Sequence, residues 1–280
     1  MVDILSIGAG ATQLYRSALS TVSNNIANMN TEGYTRQVSD SEQNMPVLRG
    51  GMYIGNGSHL GNITRAFNEF NESNLRNSSS ELGTQDPMIK YADRIVDVMG
   101  SGTSSLSSAF DQFFASAANL SSDPASRALR NLYLRDADGL AVRFRELSGQ
   151  LSKIEQETQS QINLKLTSLT ELGKQLFTVN QQLAKKATLN GQPPNLLDKR
   201  DSILRDMAEL AKIHVNQSTS GTVEVRLDNQ NGTTIVDSLR STTFSATFDP
   251  DQSGQVEILA NVYGVASPTS SLTGGSQGGM

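Results

Sequence analysis

The chain has 280 residues, of which 23 are Lys or Arg and 28 are Asp or Glu, giving a formal net charge of −5. This acidic balance excludes the basic surface that tracks nucleic-acid phosphates. Cysteine is absent and histidine occurs twice, which excludes disulfides, Cys-ligated metals and a thiol nucleophile and disfavours a His-based metal site. No apolar run approaches the ~20 residues of a membrane-spanning helix. We therefore expect no nucleic-acid binding, no membrane insertion and no cofactor.

The first predicted element is a helix from Ile4 to Met29. Its apolar residues recur at intervals of three and four, the period of one helical face, and are Ile4, Ile7, Ala11, Leu14, Ala18, Leu19, Val22, Ile26 and Met29. Arg16 is the only charged residue in this range. Because a solvated helix usually carries charges on its outer face, we expect this helix to contact other protein on several sides. Residues 30–34 form the turn that ends it, with Gly33 adopting the positive φ common after helices.

A short β excursion is predicted at residues 50–65, where Gly50-Gly51 and Gly55-Asn-Gly57 punctuate β-forming pieces. A helix follows from Phe67 to Met99, with an interruption at Asp86-Pro87. The next helix runs from Leu106 to Leu120, and Phe110, Phe113 and Phe114 are predicted to lie on or near its buried side.

A much longer helix is predicted from Ser122-Asp123-Pro124, which carries the signals of a helix start, to about Leu189. Apolar residues spaced by three or four form a coiled-coil-like seam along it, from Leu147 through Leu151, Ile154, Thr158, Ile162, Leu166, Leu169, Leu172, Leu176, Val179 and Leu183 to Ala187. Residues 190–194 stop it, and residues 196–213 fold back as a shorter helix.

The last part of the chain is rich in β-forming residues. Residues 222–227 and 233–236 predict a hairpin, and residues 242–248 and 255–263 extend the β region. The predicted fold class is mainly α, with long coiled-coil-like helices forming a rod domain and a smaller β-rich domain near the C-terminal end. The predicted divisions are an N-terminal coiled-coil helix and motif at 1–35, a helical rod domain at 36–212, a β-rich domain at 213–264 and a Gly/Ser-rich linker at 265–280.

Two patterns could be mistaken for catalytic or ligand-binding chemistry. The segment from Gly55 to Gly61 has the spacing GxGxxxG, but its flanks do not predict the strand, loop and helix of a dinucleotide site. Asp198 and Asp201 have helical spacing and could form an acid pair, but carboxylates at the start of a helix are more simply dipole partners and ion-pair formers. We expect no enzymatic activity.

The most distinctive segment of the chain is Ser23 to Gln37. It closely resembles the N-terminal signature of the bacterial flagellar axial proteins, S-x-N-[ILV]-A-N-x-x-T-x-G-[YF]-x-[RK]. In that family, Asn side chains and a Gly-Tyr turn shape the passage from an inner helix to an outer domain. The candidate assembly motif, named here by its residues, comprises Ser23, Asn24, Asn25, Ile26, Ala27, Asn28, Asn30, Thr31, Gly33, Tyr34 and Arg36.

Within the axial proteins, the chain looks like a member of the FlgK family of hook-associated proteins. The features that favour this family over rod and hook proteins are Thr35-Arg36-Gln37, Gly55-Asn-Gly57, Asp123-Pro-Ala125 before a long helix, and Asn195-Leu-Leu-Asp-Lys-Arg-Asp201. Rod and hook proteins become β-rich soon after the motif, whereas this chain continues helical. Another flagellar axial protein is the alternative, and a ligand-binding module using residues 55–61 is a more distant one.

The resemblance implies a structural protein that joins hook to filament by self-assembly in a ring. Its implied partners are the hook protein, the next hook-associated protein toward the filament and an export chaperone for a C-terminal segment. The absence of cysteine and of a cleavable secretory signal fits export through the flagellum's own type III apparatus to an extracellular axial structure. Family members return through a C-terminal helical segment, so the resemblance also implies that this chain is a fragment.

Overall fold

A computed structural model describes residues 4–100, 105–189, 191–249 and 255–269. In chain order, its elements are α1 (Ile4–Ala27), β1 (Gln37–Gln43), β2 (Val47–Arg49), β3 (Met52–Ile54), β4 (Ser58–Arg65), α2 (Glu69–Met99), α3 (Leu106–Ser122), α4 (Arg127–Leu183), α5 (Pro194–Leu210), β5 (Ile213–Gln217), β6 (Val223–Leu227), β7 (Thr234–Val236), β8 (Thr243–Phe248), β9 (Val256–Val262) and β10 (Val265–Pro268). Long helices dominate and the later strands cluster near the C-terminal end, which confirms the predicted fold class.

The first helix packs against an antiparallel ribbon made by β1 and β4. The ribbon pairs Gln37 with Arg65 at one end and Gln43 with Ser58 at the other. A hairpin of β2 and β3 continues beyond the second end. The β excursion therefore begins earlier than predicted, because residues 37–43 pair with β4 although their polar sequence gives a weak strand signal.

The apolar positions of α1 form two adjacent faces instead of the single predicted stripe. One face includes Ile7 and Leu14 and lies toward the ribbon; Leu14 is buried, and Ile7 lies beside Gly57 at the start of β4. The other face is exposed and is spaced by four and three residues, at Tyr15, Leu19, Val22 and Ile26, and the spacing continues to Met29 in the turn after α1. The residues of both faces recur with the helical period, and the two sets differ by one position in the sequence. The sequence pattern therefore does not distinguish two faces from one stripe.

Helices α2 to α5 form the rod, in which α4 packs against α2, α3 and α5. The predicted break at Asp86-Pro87 is wrong: α2 continues through Pro87, which is buried. A proline costs a helix one backbone hydrogen bond and some strain, and here the packing of the long helix outweighs that cost.

The predicted start of α4 is also wrong. Residues 123–126 form the turn between α3 and α4, with the Ser126 N–H donating to the Asp123 carbonyl at 3.3 Å. The capping residue is Ser126, whose Oγ accepts from the Leu129 N–H at 3.4 Å. Ser122 belongs to the last turn of α3 instead. Two Ser residues four apart offer equivalent capping signals, and the turn geometry selects the second.

The aromatic residues of α3 are only partly buried. Phe110 makes an edge-on contact with Phe144 of α4 at 5.7 Å between ring centroids, and Phe113 lies 5.3 Å from the Tyr133 ring. Phe114 is 63% exposed, so the prediction that it lies on or near the buried side is wrong. On the helix surface it stacks on Phe110 and makes an edge-on contact with Phe113.

The main core lies where the second half of α4 meets α5 and the β-rich region. The predicted seam is buried at Leu147, Ile154, Ile162, Leu166, Leu169, Leu176, Val179 and Leu183. Leu151 is 47% exposed and lies outside the cluster of buried residues that forms the main core.

The β-rich region contains two three-stranded antiparallel sheets, ordered β5-β6-β7 and β10-β9-β8. The pairing of β6 with β7 confirms the predicted hairpin. Strand β10 lies within the range predicted as a linker; Val265 pairs with Val262 across a two-residue turn in which Tyr263 and Gly264 both have positive φ. The rest of that predicted linker, residues 270–280, lies outside the described residues.

Leu169→Ala is expected to lower the free energy of unfolding by about 2–5 kcal/mol, because truncating a fully buried leucine removes apolar burial and leaves a cavity. Leu151→Ala is the matched control on the same helix and seam, and its cost should stay below about 1 kcal/mol because Leu151 is half exposed. Urea unfolding of both variants measures the difference. Equal losses of stability in the two variants would contradict the placement of Leu169 inside the core and Leu151 outside it.

Candidate assembly site

Asn25 is the centre of the assembly motif. Its Oδ1 accepts hydrogen bonds from the Gln37 N–H at 2.8 Å and the Tyr34 hydroxyl at 2.7 Å, and its Nδ2 donates to the Gln37 carbonyl at 2.8 Å. The side chain thus pairs with both backbone groups of the first ribbon residue, as a neighbouring strand would. Asn25 therefore joins the end of α1, the turn after it and the start of β1.

Two further asparagines extend this network along the end of α1. Asn28 Nδ2 donates to the Asn24 carbonyl and side-chain oxygen, both at 2.9 Å, and Asn24 Nδ2 donates to the Tyr34 hydroxyl at 3.3 Å. Thr31 Oγ1 donates to Asn28 Oδ1 at 3.3 Å. Asparagine suits this role because one amide supplies both donors and an acceptor.

The turn after α1 lies against helix α5. Gly33 has a φ of 76°, a left-handed conformation that favours glycine. A Cβ at this position would lie 3.4 Å from Nη2 of Arg205 and 3.6 Å from Cβ of Ser202. The predicted positive φ of Gly33 is confirmed, but α1 already ends at Ala27, so Gly33 shapes the turn after the helix and does not end it. Its conformation lets the turn approach α5 closely.

Burial raises the pKa of the Tyr34 hydroxyl above its ordinary value, and the negative charge of Asp198 raises it further. A raised pKa keeps the hydroxyl protonated, which its donation to Asn25 requires. The stability linked to the protonated hydroxyl is therefore complete below the unfolded pKa near 10 and is lost as the pH rises through the raised folded-state pKa.

The remaining motif residues face away from this network. Ser23, Ile26, Ala27, Asn30 and Arg36 are exposed, and Ile26 belongs to the outward apolar face of α1 at 65% exposure. The motif therefore has two parts: an inward part that fixes the turn and an outward part that is open to contact.

A second cluster lies beside the motif and was not predicted from the sequence. Nη1 of Arg65, the last residue of β4, donates to Asp198 Oδ1 and Asp201 Oδ2, each at 2.8 Å. The Thr35 N–H also donates to Asp198 Oδ2 at 3.3 Å. The prediction that Asp198 and Asp201 are ion-pair formers is confirmed, but a partner 133 positions away leaves no local sequence signal.

The segment from Gly55 to Gly61 connects β3 to β4 and continues into β4. Because it runs into a strand and not into a helix, it offers no helix N-terminus to a phosphate. Gly57 packs beside Ile7 of α1, and a Cβ on Gly61 would overlap the side chain of Glu42 in β1. These glycines allow close packing of α1 and the ribbon.

Among the described residues, no group of three or more His, Asp or Glu side chains is arranged to hold a metal ion. No described helix combines the length and apolarity needed to cross a membrane.

Two family models match the chain. The model described as "Flagella basal body rod protein" matches residues 5–35, and the model described as "Flagellar hook-associated protein FlgK helical domain" matches residues 92–280. Together with the long helical rod, they define the class as flagellar axial proteins. Because the second model covers more than half of the sequence, the chain belongs to the FlgK family of flagellar hook-associated proteins.

Individual relatives agree with this assignment. Flagellar hook-associated protein 1 of Salmonella typhimurium is 27% identical over 285 residues, covering 100% of this chain and 51% of the relative, and that of Escherichia coli is 24% identical, covering 100% and 52%. The chain thus spans about half the length of these relatives. A solved structure of the flagellar hook junction protein FlgK from Burkholderia pseudomallei shares the fold, with a TM-score of 0.64 and 23% identity over 74% of this chain and 38% of that one.

Asn25→Ala is expected to speed amide hydrogen exchange at the end of α1 and the start of β1 by about tenfold, because the Tyr34 hydroxyl and both Gln37 backbone groups lose their partner. Asn30→Ala, an exposed asparagine of the same motif, is the control and should leave exchange unchanged. Unaltered exchange in the Asn25 variant would show that the network does not hold the turn.

Proposed function

We propose that this chain is a structural subunit of the bacterial flagellum that joins the hook to the filament by self-assembly. Family membership and the axial motif support this function. The observation that carries it is the outward face of α1 and its continuation into the following turn, where Tyr15, Leu19, Val22, Ile26 and Met29 are each at least half exposed. A contiguous apolar surface of this kind indicates a protein contact.

The charge pattern of α1 supports contacts between identical copies. Arg16 is its single charged residue among residues 4–27. In a ring or tube of identical subunits, each surface charge would face the same charge on its neighbours, and such repulsion is costly where water is excluded. A helix that is apolar outside and almost uncharged avoids that cost, and it is a poor design for a helix that remains in water.

The partners follow from the same proposal. Copies of this chain form a ring, with the hook protein on one side and the next hook-associated protein on the other, outside the cell. An export chaperone assists delivery through the flagellar type III apparatus. The role is architectural: we assign no catalytic residues, no cofactor and no metal. The alternative of a ligand site at residues 55–61 lacks support because two of its glycines, Gly57 and Gly61, pack against Ile7 and Glu42.

Deletion of the gene tests the proposal. Cells that lack it should carry hooks without filaments and should release filament subunits into the medium, and the complete gene supplied from a plasmid should restore both. Electron microscopy and immunoblotting of the medium are the measurements. Normal filaments on deleted cells would contradict a junction role, and loss of hooks as well as filaments would instead favour a more proximal rod or hook component.

A further inference from the structure

The protein contains a joint between two parts, which we name by their elements. The axial unit comprises α1 and strands β1 to β4, and the rod comprises α2 to α5. Among the described residues, the helix and strands of the axial unit make only weak contacts with the helices of the rod. The two parts meet through the turn at 33–36 and the end of β4. A cavity of about 240 Å³ separates β4 from the loop between α4 and α5.

Arg65 is a charged contact between the axial unit and the rod. Its guanidinium group bridges Asp198 and Asp201 and lies over the Phe67 ring, 4.6 Å from the ring centroid. The side chains of the three charged residues are 4–11% exposed. An intact buried ion pair of this kind contributes little net free energy to folding, because desolvation offsets the attraction. Loss of one partner is costly, because it leaves the other charge buried without compensation.

The two carboxylates depend on Arg65 to different extents. Asp201 has a second cation in the rod itself, because Nε and Nη2 of Arg200 donate to its Oδ1 at 2.8 and 2.6 Å. Arg200 is anchored in turn by donation from Nη1 to the Gly221 carbonyl. Asp201 is therefore a fixed part of the rod, with or without the axial unit.

Asp198 has no such support among the described hydrogen bonds. Its two donors are the Thr35 N–H and Arg65, and both belong to the axial unit. Thr35 lies in the turn between α1 and β1, and Arg65 ends β4 just before the segment that connects the axial unit to the rod. Asp198 is 8% exposed, and separation of the units would expose it to water.

We propose that Asp198 is the socket of a two-state joint, which holds the axial unit at one angle to the rod when Thr35 and Arg65 are bound and releases it when they are not. The free energy that closes the joint comes from compensating the Asp198 carboxylate with two donors, together with the bond from Arg65 to Asp201. Opening removes these contacts but exposes Asp198 to water, which limits the cost. The proposal concerns the isolated chain and does not depend on the proposed function.

Electron spin resonance distance measurements test the joint, because the natural sequence has no cysteine to remove. Spin labels at Ser20→Cys in α1 and Glu209→Cys in α5 report the angle between the units, and both positions are exposed. A second pair, Asn163→Cys and Glu209→Cys, reports the rod alone. Measurements use the whole chain at low micromolar concentration.

The expected result is a single narrow distance for the first pair in the parent protein and a distribution at least twice as wide after Asp198→Ala. The rod pair should keep its distance. Lys199→Ala, an exposed neighbour, is the control and should change neither pair. An unchanged first distance would overturn the proposal, and broadening of both pairs would also overturn it by showing that Asp198 supports the rod fold.

Arg65→Met provides an independent variant in case Asp198→Ala lowers the yield of folded protein. It removes the charge from the axial side and preserves much of the volume that packs on Phe67. It should broaden the first distance by a similar factor and leave the rod pair unchanged. A narrow first distance in this variant would overturn the proposal, because the socket would then hold the axial unit without its main ligand.

Discussion

Ile26→Asp in the complete protein is expected to abolish filament growth and leave the monomer folded. Ile26 is 65% exposed on the outward face of α1, so a carboxylate there remains in water in the isolated chain. Between assembled copies it would be buried without a partner, at a cost of several kcal/mol per copy. Tyr34 is left unchanged because it holds Asn25 within the chain.

The variant is expressed in cells that lack the parent gene, and filaments are counted by electron microscopy while filament subunits in the medium are measured by immunoblotting. Ile26→Leu is the control, since it preserves the apolar surface and should restore filaments. Circular dichroism and urea unfolding of the purified Asp variant should match those of the parent chain. Normal filaments on cells that make the Ile26→Asp variant would contradict the claim that the outward face of α1 mediates assembly.

Asn180→Leu is expected to lower the free energy of unfolding by about 2 to 4 kcal/mol. Asn180 is 3% exposed in α4, and it donates to the Val223 carbonyl at 2.7 Å and accepts from the Val223 N–H at 3.0 Å. Leucine fills the space but leaves both backbone groups of Val223 unpaired, and each unpaired buried group costs about 1–3 kcal/mol.

The control is Gln181→Leu, the exposed neighbour on the same turn of α4, which should change stability by no more than about 0.5 kcal/mol. Urea unfolding followed by circular dichroism measures both variants. A loss confined to the β-rich region would appear as a separate early transition. Equal stability of the two variants would refute the role of Asn180 in fastening strand β6 to the rod.

The sequence predicts elements best where one period dominates a long segment. The predicted seam is confirmed from Ile162 to Leu183, because other elements pack on the apolar face of that part of α4. The stripe of α1 is less well predicted, because two apolar faces offset by one residue share the same period. One of them packs on a ribbon that the polar sequence of β1 conceals.

The candidate site shows the same division between local and distant information. The motif predicts the turn at Gly33 and the involvement of its asparagines, because these contacts join residues fewer than 15 positions apart. The bridge from Arg65 to Asp198 joins residues 133 positions apart. Only the folding back of α5 brings them together, and neither residue carries a local pattern that points to the other.

The most direct test of the central claim is the position of the protein on the flagellum. Leu239 is 78% exposed in the β-rich region, and Leu239→Cys creates a single cysteine in this chain that maleimide-linked gold can label. In complemented cells that make normal filaments, electron microscopy should show gold confined to one short band between hook and filament. Gold along the filament, at its distal tip or below the hook would contradict a hook–filament junction.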